Sequence, residues 1–116
     1  MAVIPRAGVE VPTLYGKSSI VTWSPLATGD TGEPLQGVGL SDRSVQFTGT
    51  FGGATVVLEG SNDGNNWVTL TDPAGVALSF TAAGLKQILQ ITRYMRPNVS
   101  GGAGVAIICN LLAVGK

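Results

Sequence analysis

Histidine is absent from this 116-residue chain, and cysteine occurs once, at Cys109. Without histidine, the commonest general base and metal ligand near neutral pH is missing. A single cysteine excludes an intrachain disulfide and any multi-cysteine metal site. Its setting, inside the apolar run 105–114, is that of a small buried hydrophobe. Charge is scarce as well: seven basic and seven acidic residues make up 12% of the chain and cancel, against about 25% in typical soluble domains. With no basic excess or basic run, nucleic acid is not an expected partner. The run 105–114 falls short of the ~20 apolar residues needed to span a bilayer. Residues 1–14 lack the charged start and apolar core of a secretion signal. A protein made in the cytoplasm, with no membrane partner, is expected.

Glycine and apolar residues are plentiful, with 17 glycines and 44% hydrophobic residues. The length suits one domain with a real core. Sparse charge with this apolar content fits a β-rich domain that covers part of its surface with partner chains, and it offers little protection against self-association.

Residues 44–70 carry the clearest pattern. Val45, Phe47 and Phe51 alternate with Gln46, Thr48 and Thr50, the period of a strand with one buried face. Gly52-Gly53 punctuates, 54–59 is β-branched and apolar, and Asp63-Gly64 in the run 61–66 is a strong hairpin signal. A β-meander is expected, with 43–50 and 54–60 as its central pair. Further strands are predicted at 18–24, 66–71, 76–81 and 94–99, the last at an edge because of Pro97 and Asn98. Residues 85–91 fit helical or strand spacing and are taken as strand because strands flank them. The segment 100–104 is expected as a hairpin loop leading into a final strand over 105–114. About eight short strands at regular spacing predict an all-β, single-domain antiparallel sandwich or jelly roll.

The final strand is apolar on both faces. Its even positions, Ile108 and Leu112 among them, need cover from the N-terminal arm, a loop or another subunit, and a subunit is favoured. Residues 1–17 carry Pro5 and Pro12, which deny them helix and central-strand status. They are expected as an extended arm preceding a sandwich domain at 18–116. Val3, Ile4, Pro5, Val9, Val11 and Leu14 are its anchors on a partner.

Candidate chemistry is thin. Lys17, Lys86 and Lys116 stand in no catalytic motif. The carboxylates Asp30, Glu33, Asp63 and Asp72 all lie in turn sequences, where Asp caps local backbone donors. The Asp30–Glu33 loop lacks the acidic repeat of an EF-hand and is expected as a solvated turn. Gly101, Gly102 and Gly104 precede neither a Lys-Ser/Thr pair nor a helix start. A non-enzyme without catalytic, cofactor or metal residues is therefore expected. Arg93 and Arg96 flank Tyr94 on the expected edge strand, suited to partner carboxylates or to edge protection. Trp67 is expected in the core.

The turn Glu59-Gly60-Ser61-Asn62-Asp63-Gly64, with Trp67 three residues later, is similar to a signature of discoidin-type β-sandwich modules, many of which bind carbohydrate or lipid. A broader resemblance runs from about Trp23 to the C-terminus. The segments Gly29-Asp30-Thr31-Gly32, Ser41-Asp42-Arg43-Ser44-Val45-Gln46, Gly49-Thr50-Phe51-Gly52-Gly53 and Arg93-Tyr94-Met95-Arg96-Pro97 look like small virion proteins of tailed bacteriophages. In particular they resemble the head decoration, or cement, proteins. That resemblance implies a compact β-sandwich, dimeric or trimeric, on the outside of the capsid with the major capsid protein as partner. Two alternatives stand beside it: a carbohydrate-binding module using Trp67, Asn62 and Asn65, and a tail or baseplate subunit.

Overall fold

The computed structural model describes residues 2–12, 17–36 and 42–114, with the backbone alone at 9–12 and 17. Among them, the regular elements are twelve strands. In chain order these are β1 (Val3–Ile4), β2 (Arg6–Pro12), β3 (Lys17–Leu26), β4 (Thr31–Gly32), β5 (Leu35–Gln36) and β6 (Asp42–Thr50). Then follow β7 (Thr55–Ser61), β8 (Val68–Thr69), β9 (Ser79–Phe80), β10 (Gly84–Gln87), β11 (Tyr94–Ser100) and β12 (Ala106–Val114). A five-stranded sheet runs β10-β6-β12-β3-β2. The seven-stranded sheet runs β1-β4-β11-β7-β8, with β5 beside β11 and β9 beside β7. Counting from β3, with β4/β5 and β8/β9 each taken as one broken strand, the sheets are ordered 1-8-3-6 and 2-7-4-5. This is the double Greek key of a jelly roll, as the spacing of turn signals implied.

The central pair expected from 43–50 and 54–60 does not form. β6 pairs with β12, from Ala106↔Thr50 to Val114↔Asp42, and β7 pairs with β11, from Tyr94↔Ser61 to Ser100↔Thr55. The turn at Gly52 and Gly53, both at positive φ, carries the chain from one sheet to the other. That crossing sets the Val45/Phe47 row against the Val56/Leu58 row across the interior, where both are fully buried. A hairpin would have left the two rows side by side on one face. The 100–104 segment is likewise an arch between sheets, not a hairpin loop. The two arches lock together, Ala103 N donating to the Gly52 carbonyl at 3.0 Å. Between β7 and β8 the 61–66 hairpin forms as expected, with Glu59↔Thr69 and Gly60↔Val68 in register. Strands expected over 66–71 and 76–81 shrink to β8 and β9. Between them Leu70 and Leu78 turn into the core and bond Leu58 and each other through the backbone.

The edge placement expected for 94–99 is also overturned, since β11 lies between β7 and β4/β5. Proline is tolerated there because the neighbouring strand is interrupted. Val99 N donates to Asp30 O on that side, so by alternation the Pro97 nitrogen faces the gap between β4 and β5, where no donor is needed. At β3 the strand outlasts its predicted end at Ser24. One extra residue opposes β12 between Cys109↔Trp23 and Ile107↔Leu26, a bulge that absorbs Pro25 and returns Leu26 to the core, fully buried.

The core lies between the sheets. Val21, Trp23, Phe47, Ile107, Cys109 and Leu111 come from one sheet, and Val56, Leu58, Phe80, Met95 and Val99 from the other. Phe47 and Phe80 meet across the layer, ring centroids 4.8 Å apart and tilted by 53°, a geometry that adds to burial.

Residues expected as an arm are extended and paired within the domain. β1 runs parallel to β4 (Val3↔Thr31, Ile4↔Gly32), and β2 runs antiparallel to β3 from Arg6↔Trp23 to Pro12↔Lys17. The segment thus straps the edges of both sheets. Pro5 sits at the crossing and Pro12 ends an edge strand, positions that cost no ladder bond.

Gly52 has φ +57, and a Cβ there would run into the Ala103 carbonyl. Gly52→Ala is expected to lower unfolding stability by about 1–3 kcal/mol in urea titration. Gly8→Ala, with nothing within 4 Å of its Cβ position, leaves stability unchanged or slightly raised.

Candidate interaction surfaces

Strand alternation gives the five-stranded sheet an outer face set by register. One row runs Ile20, Leu112, Ser44, Gln87, and the next runs Thr22, Asn110, Gln46, Leu85. Ile108 and Val114 extend the apolar positions along β12. Leu85 is 62% exposed and Leu112 37%. Between them lie two adjoining shallow hollows of about 180 and 300 Å³ that share Ser44, Leu85 and Leu112, one also lined by Ile20. Within the polar centre, Thr22 Oγ1 donates to Asn110 Oδ1 at 2.6 Å. Among the described residues, the outer positions of β3, β6, β10 and β12 carry one charge, Asp42 at the start of β6.

The outer face of the other sheet is polar and aromatic. Arg96 lies opposite Glu59 and donates from Nε to Oε1 at 3.1 Å, while its guanidinium stacks over Trp67 at 4.1 Å. Trp67 is therefore half-buried on this surface and not in the core as expected. The tryptophan that fills the interior is Trp23. Beside this cluster the 61–66 turn is organised by Asp63. Its carboxylate accepts from the Asn65 and Asn66 amides at 2.8 Å, from Asn66 Nδ2 at 2.7 Å and from Ser61 Oγ at 2.9 Å. The bond from the Asn66 amide, followed by the others, holds that carboxyl well below the usual carboxylate range.

The sequence-derived contact residues are spread over three places. Val3 (62% exposed) and Pro5 stand out from the strap, while Ile4 packs against the core. Val9 pairs with Ile20 and Val11 with Ser18 in register, and Leu14 lies outside the described residues. Arg93 precedes β11 and lies 5.1 Å over its neighbour Tyr94, with its amide bonded to Asn62 Oδ1. Arg96 is engaged within the chain through its Nε–H, which donates to Glu59 Oε1. Ile108 and Leu112 share the five-stranded outer face. Sequence reasoning missed Leu85 and Ile20, because their membership of that face depends on β10 and β3 flanking β6 and β12. The alternation of Leu85 with Lys86 and Gln87 was the available signal.

Reactive groups are built into the structure. Asp30, expected as solvated, is buried and accepts from Ala2 N at 3.0 Å and Ala27 N at 2.9 Å. Asp72 caps its turn, accepting from Ala74 N and Val76 N at 2.9 Å. Cys109 is fully buried, and burial pushes its thiol far up, leaving it unreactive. Arg43 is buried with Nη1 3.8 Å from Met95 Sδ, and desolvation lowers its pKa. Among the described residues, no group of three or more acidic or cysteine side chains is placed to hold a metal. Among the same described residues, no helix is long and apolar enough to cross a membrane.

No family model and no curated protein matches the chain. The solved structure of the SPBc2 prophage-derived protein YomS aligns with a TM-score of 0.66 at 10% identity, covering 90% of this chain and 98% of that one. The K2 cleaved adhesin domain of Lys-gingipain aligns with a TM-score of 0.48 at 10% identity, covering 95% and 83%. A carbohydrate-binding module of Cellvibrio mixtus lichenase 5A, in complex with cellotriose, aligns with a TM-score of 0.34 at 12% identity, covering 96% and 86%. The first likeness is one of fold, and the other two are too distant to carry an argument.

Two outcomes follow from these geometries. Arg96→Ala is expected to cost about 1–2 kcal/mol in urea titration, with Arg96→Lys recovering only part because an ammonium cannot reproduce the planar stack. For Asp63 the folded pKa lies below the unfolded value of about 3.9, so its stabilisation is complete above that pH and fades as acid approaches the folded value. The stability gap between wild type and Asp63→Ala, measured from pH 6 to 2.5, is expected to be widest at pH 6 and to narrow below pH 4.

Proposed function

We propose that this chain is a structural protein of a tailed-phage virion that decorates and stabilises the assembled capsid. It binds the outer shell as an oligomer, with the major capsid protein as its partner. The observation that carries this reading is the outer face of the five-stranded sheet, almost uncharged and holding Ile20, Leu85, Ile108, Leu112 and Val114 among uncharged polar residues. The motif resemblance and the near-equal size of the prophage-derived protein of the same fold support a phage setting. Mechanistically, a protein that binds only the assembled shell adds its binding free energy at each lattice site, about 2.7 kcal/mol per site at a hundredfold excess over Kd. Oligomers that bridge capsomers raise this through effective concentration.

The strap is the capsid-facing candidate, since Val3 and Pro5 protrude from it. Removing residues 1–16 would strip β1 and β2 from both sheets and confound binding with folding, so a surface substitution is the cleaner probe. A second reading, a carbohydrate-binding module, is favoured by one observation: Trp67 is half-exposed beside Asn62, Asn65 and Asn66. Arg96, however, occupies one face of that ring.

Purified protein mixed with undecorated heads is expected to cosediment at a fixed stoichiometry and raise their thermal disruption temperature. Val3→Asp weakens loading at least tenfold with an unchanged circular dichroism spectrum. Absence from heads but presence in separated tails would replace decoration with the tail or baseplate reading. Tryptophan fluorescence that titrates with oligosaccharides, without head binding, would favour the carbohydrate reading.

A further inference from the structure

We infer that the outer face of the five-stranded sheet is the surface on which two copies of this chain stack, face to face, as a two-fold dimer. The inference deepens the oligomer component of the reading above and rests on three observations.

The first is area. Five strands spaced about 4.8 Å apart and four to ten residues long, at about 3.4 Å per residue, present a face of about 640 Å². A standard stable interface takes roughly 800 Å² from each partner. Standard interfaces span about 600–1,000 Å² per partner, so the face lies at the small end of what a second copy requires.

The second is shape. A two-fold interface uses the same patch twice, so protrusion and recess must sit on one surface. Here Leu85 protrudes, 62% exposed, at the rim of hollows floored by Ser44 and walled by Leu112 and Ile20. An exposed leucine beside apolar recesses on the same sheet is the form that self-packing requires.

The third is charge. Among described residues the outer positions of β3, β6, β10 and β12 hold no lysine, arginine or glutamate, and their one charge, Asp42, lies at an end. No large field of one sign opposes a second copy, and Thr22 and Asn110 already bond each other at the centre, while Ser44, Gln46 and Gln87 on the same face would pair across the two-fold. The outer face of the other sheet carries Glu59 and Arg96, already paired to each other.

Sedimentation velocity of the full chain from 1 to 200 μM, without capsids, tests this. A dimer is expected, and Leu85→Glu and Leu112→Glu are each expected to weaken it at least tenfold. Val76→Glu, exposed but off this face, should leave it unchanged. Leu85 is the decisive position should Leu112→Glu fail to fold, because its exposure leaves the fold little dependent on it. A monomer at 200 μM, a trimer, or a dimer indifferent to Leu85→Glu would overturn the inference. Since no capsid is present, a monomer that still loads onto heads would sink the dimer alone. A Leu85-dependent dimer that ignores heads would sink decoration alone.

Discussion

The fully buried indole of Trp23 holds the two layers of this sandwich in register. It projects from β3 of the five-stranded sheet, and its Nε1–H donates to the Glu33 carbonyl at 2.9 Å, just beyond β4 of the opposite sheet. The approach depends on Gly32, where a Cβ would lie 2.7 Å from the ring. A buried indole N–H without an acceptor would forfeit much of what burying the ring contributes. The strap closes over the same point. Arg6 pairs with Trp23 in register, its amide reaches Glu33 Oε1 at 3.3 Å, and Glu33 N bonds Ile4 O at 2.8 Å. What the composition suggests is a loose arm is thereby part of the domain's own edge, covering a sheet end that would otherwise offer open ladder groups.

With the interior satisfied, function falls to the outside, and the two outer faces differ in kind. One carries charge and aromatic rings already engaged with each other, which gives it rigidity and leaves little to offer a partner. The other is nearly without charge, with Ile20, Leu85 and the β12 residues Ile108, Leu112 and Val114 set among uncharged polar side chains. Exposed apolar residues gathered on one face, as Leu85 and Leu112 are here, mark a surface suited to contact.

The sandwich and the burial of Cys109 were legible in alternation and turn residues, which act over a few neighbours; β4 and β5, in a stretch rich in turn residues, were not. The hairpin at Asp63, whose side chain organises its own turn, was legible too. Partner strands were not legible. Residues 43–50 and 54–60 sit side by side in sequence yet belong to different sheets, because the Gly52 arch passes over the core instead of folding back. Pro97 signalled an edge, and the signal failed because the adjacent strand happens to be broken opposite it. Trp67 looked like core, whereas Arg96, twenty-nine residues on, gave it a partner on the surface.

Local chemistry alone determined that this chain forms short strands and that they enclose one apolar interior. Both properties follow from side chains and backbone preferences that act within a few residues. Which strands lie together, which tryptophan is inside, and that Ile20, Leu85 and Leu112 share one face were decided only by tertiary structure. Those outcomes depend on pairings between residues as many as ninety-six apart along the chain, Ser18 and Val114 among them, and no periodicity within a strand encodes its neighbour.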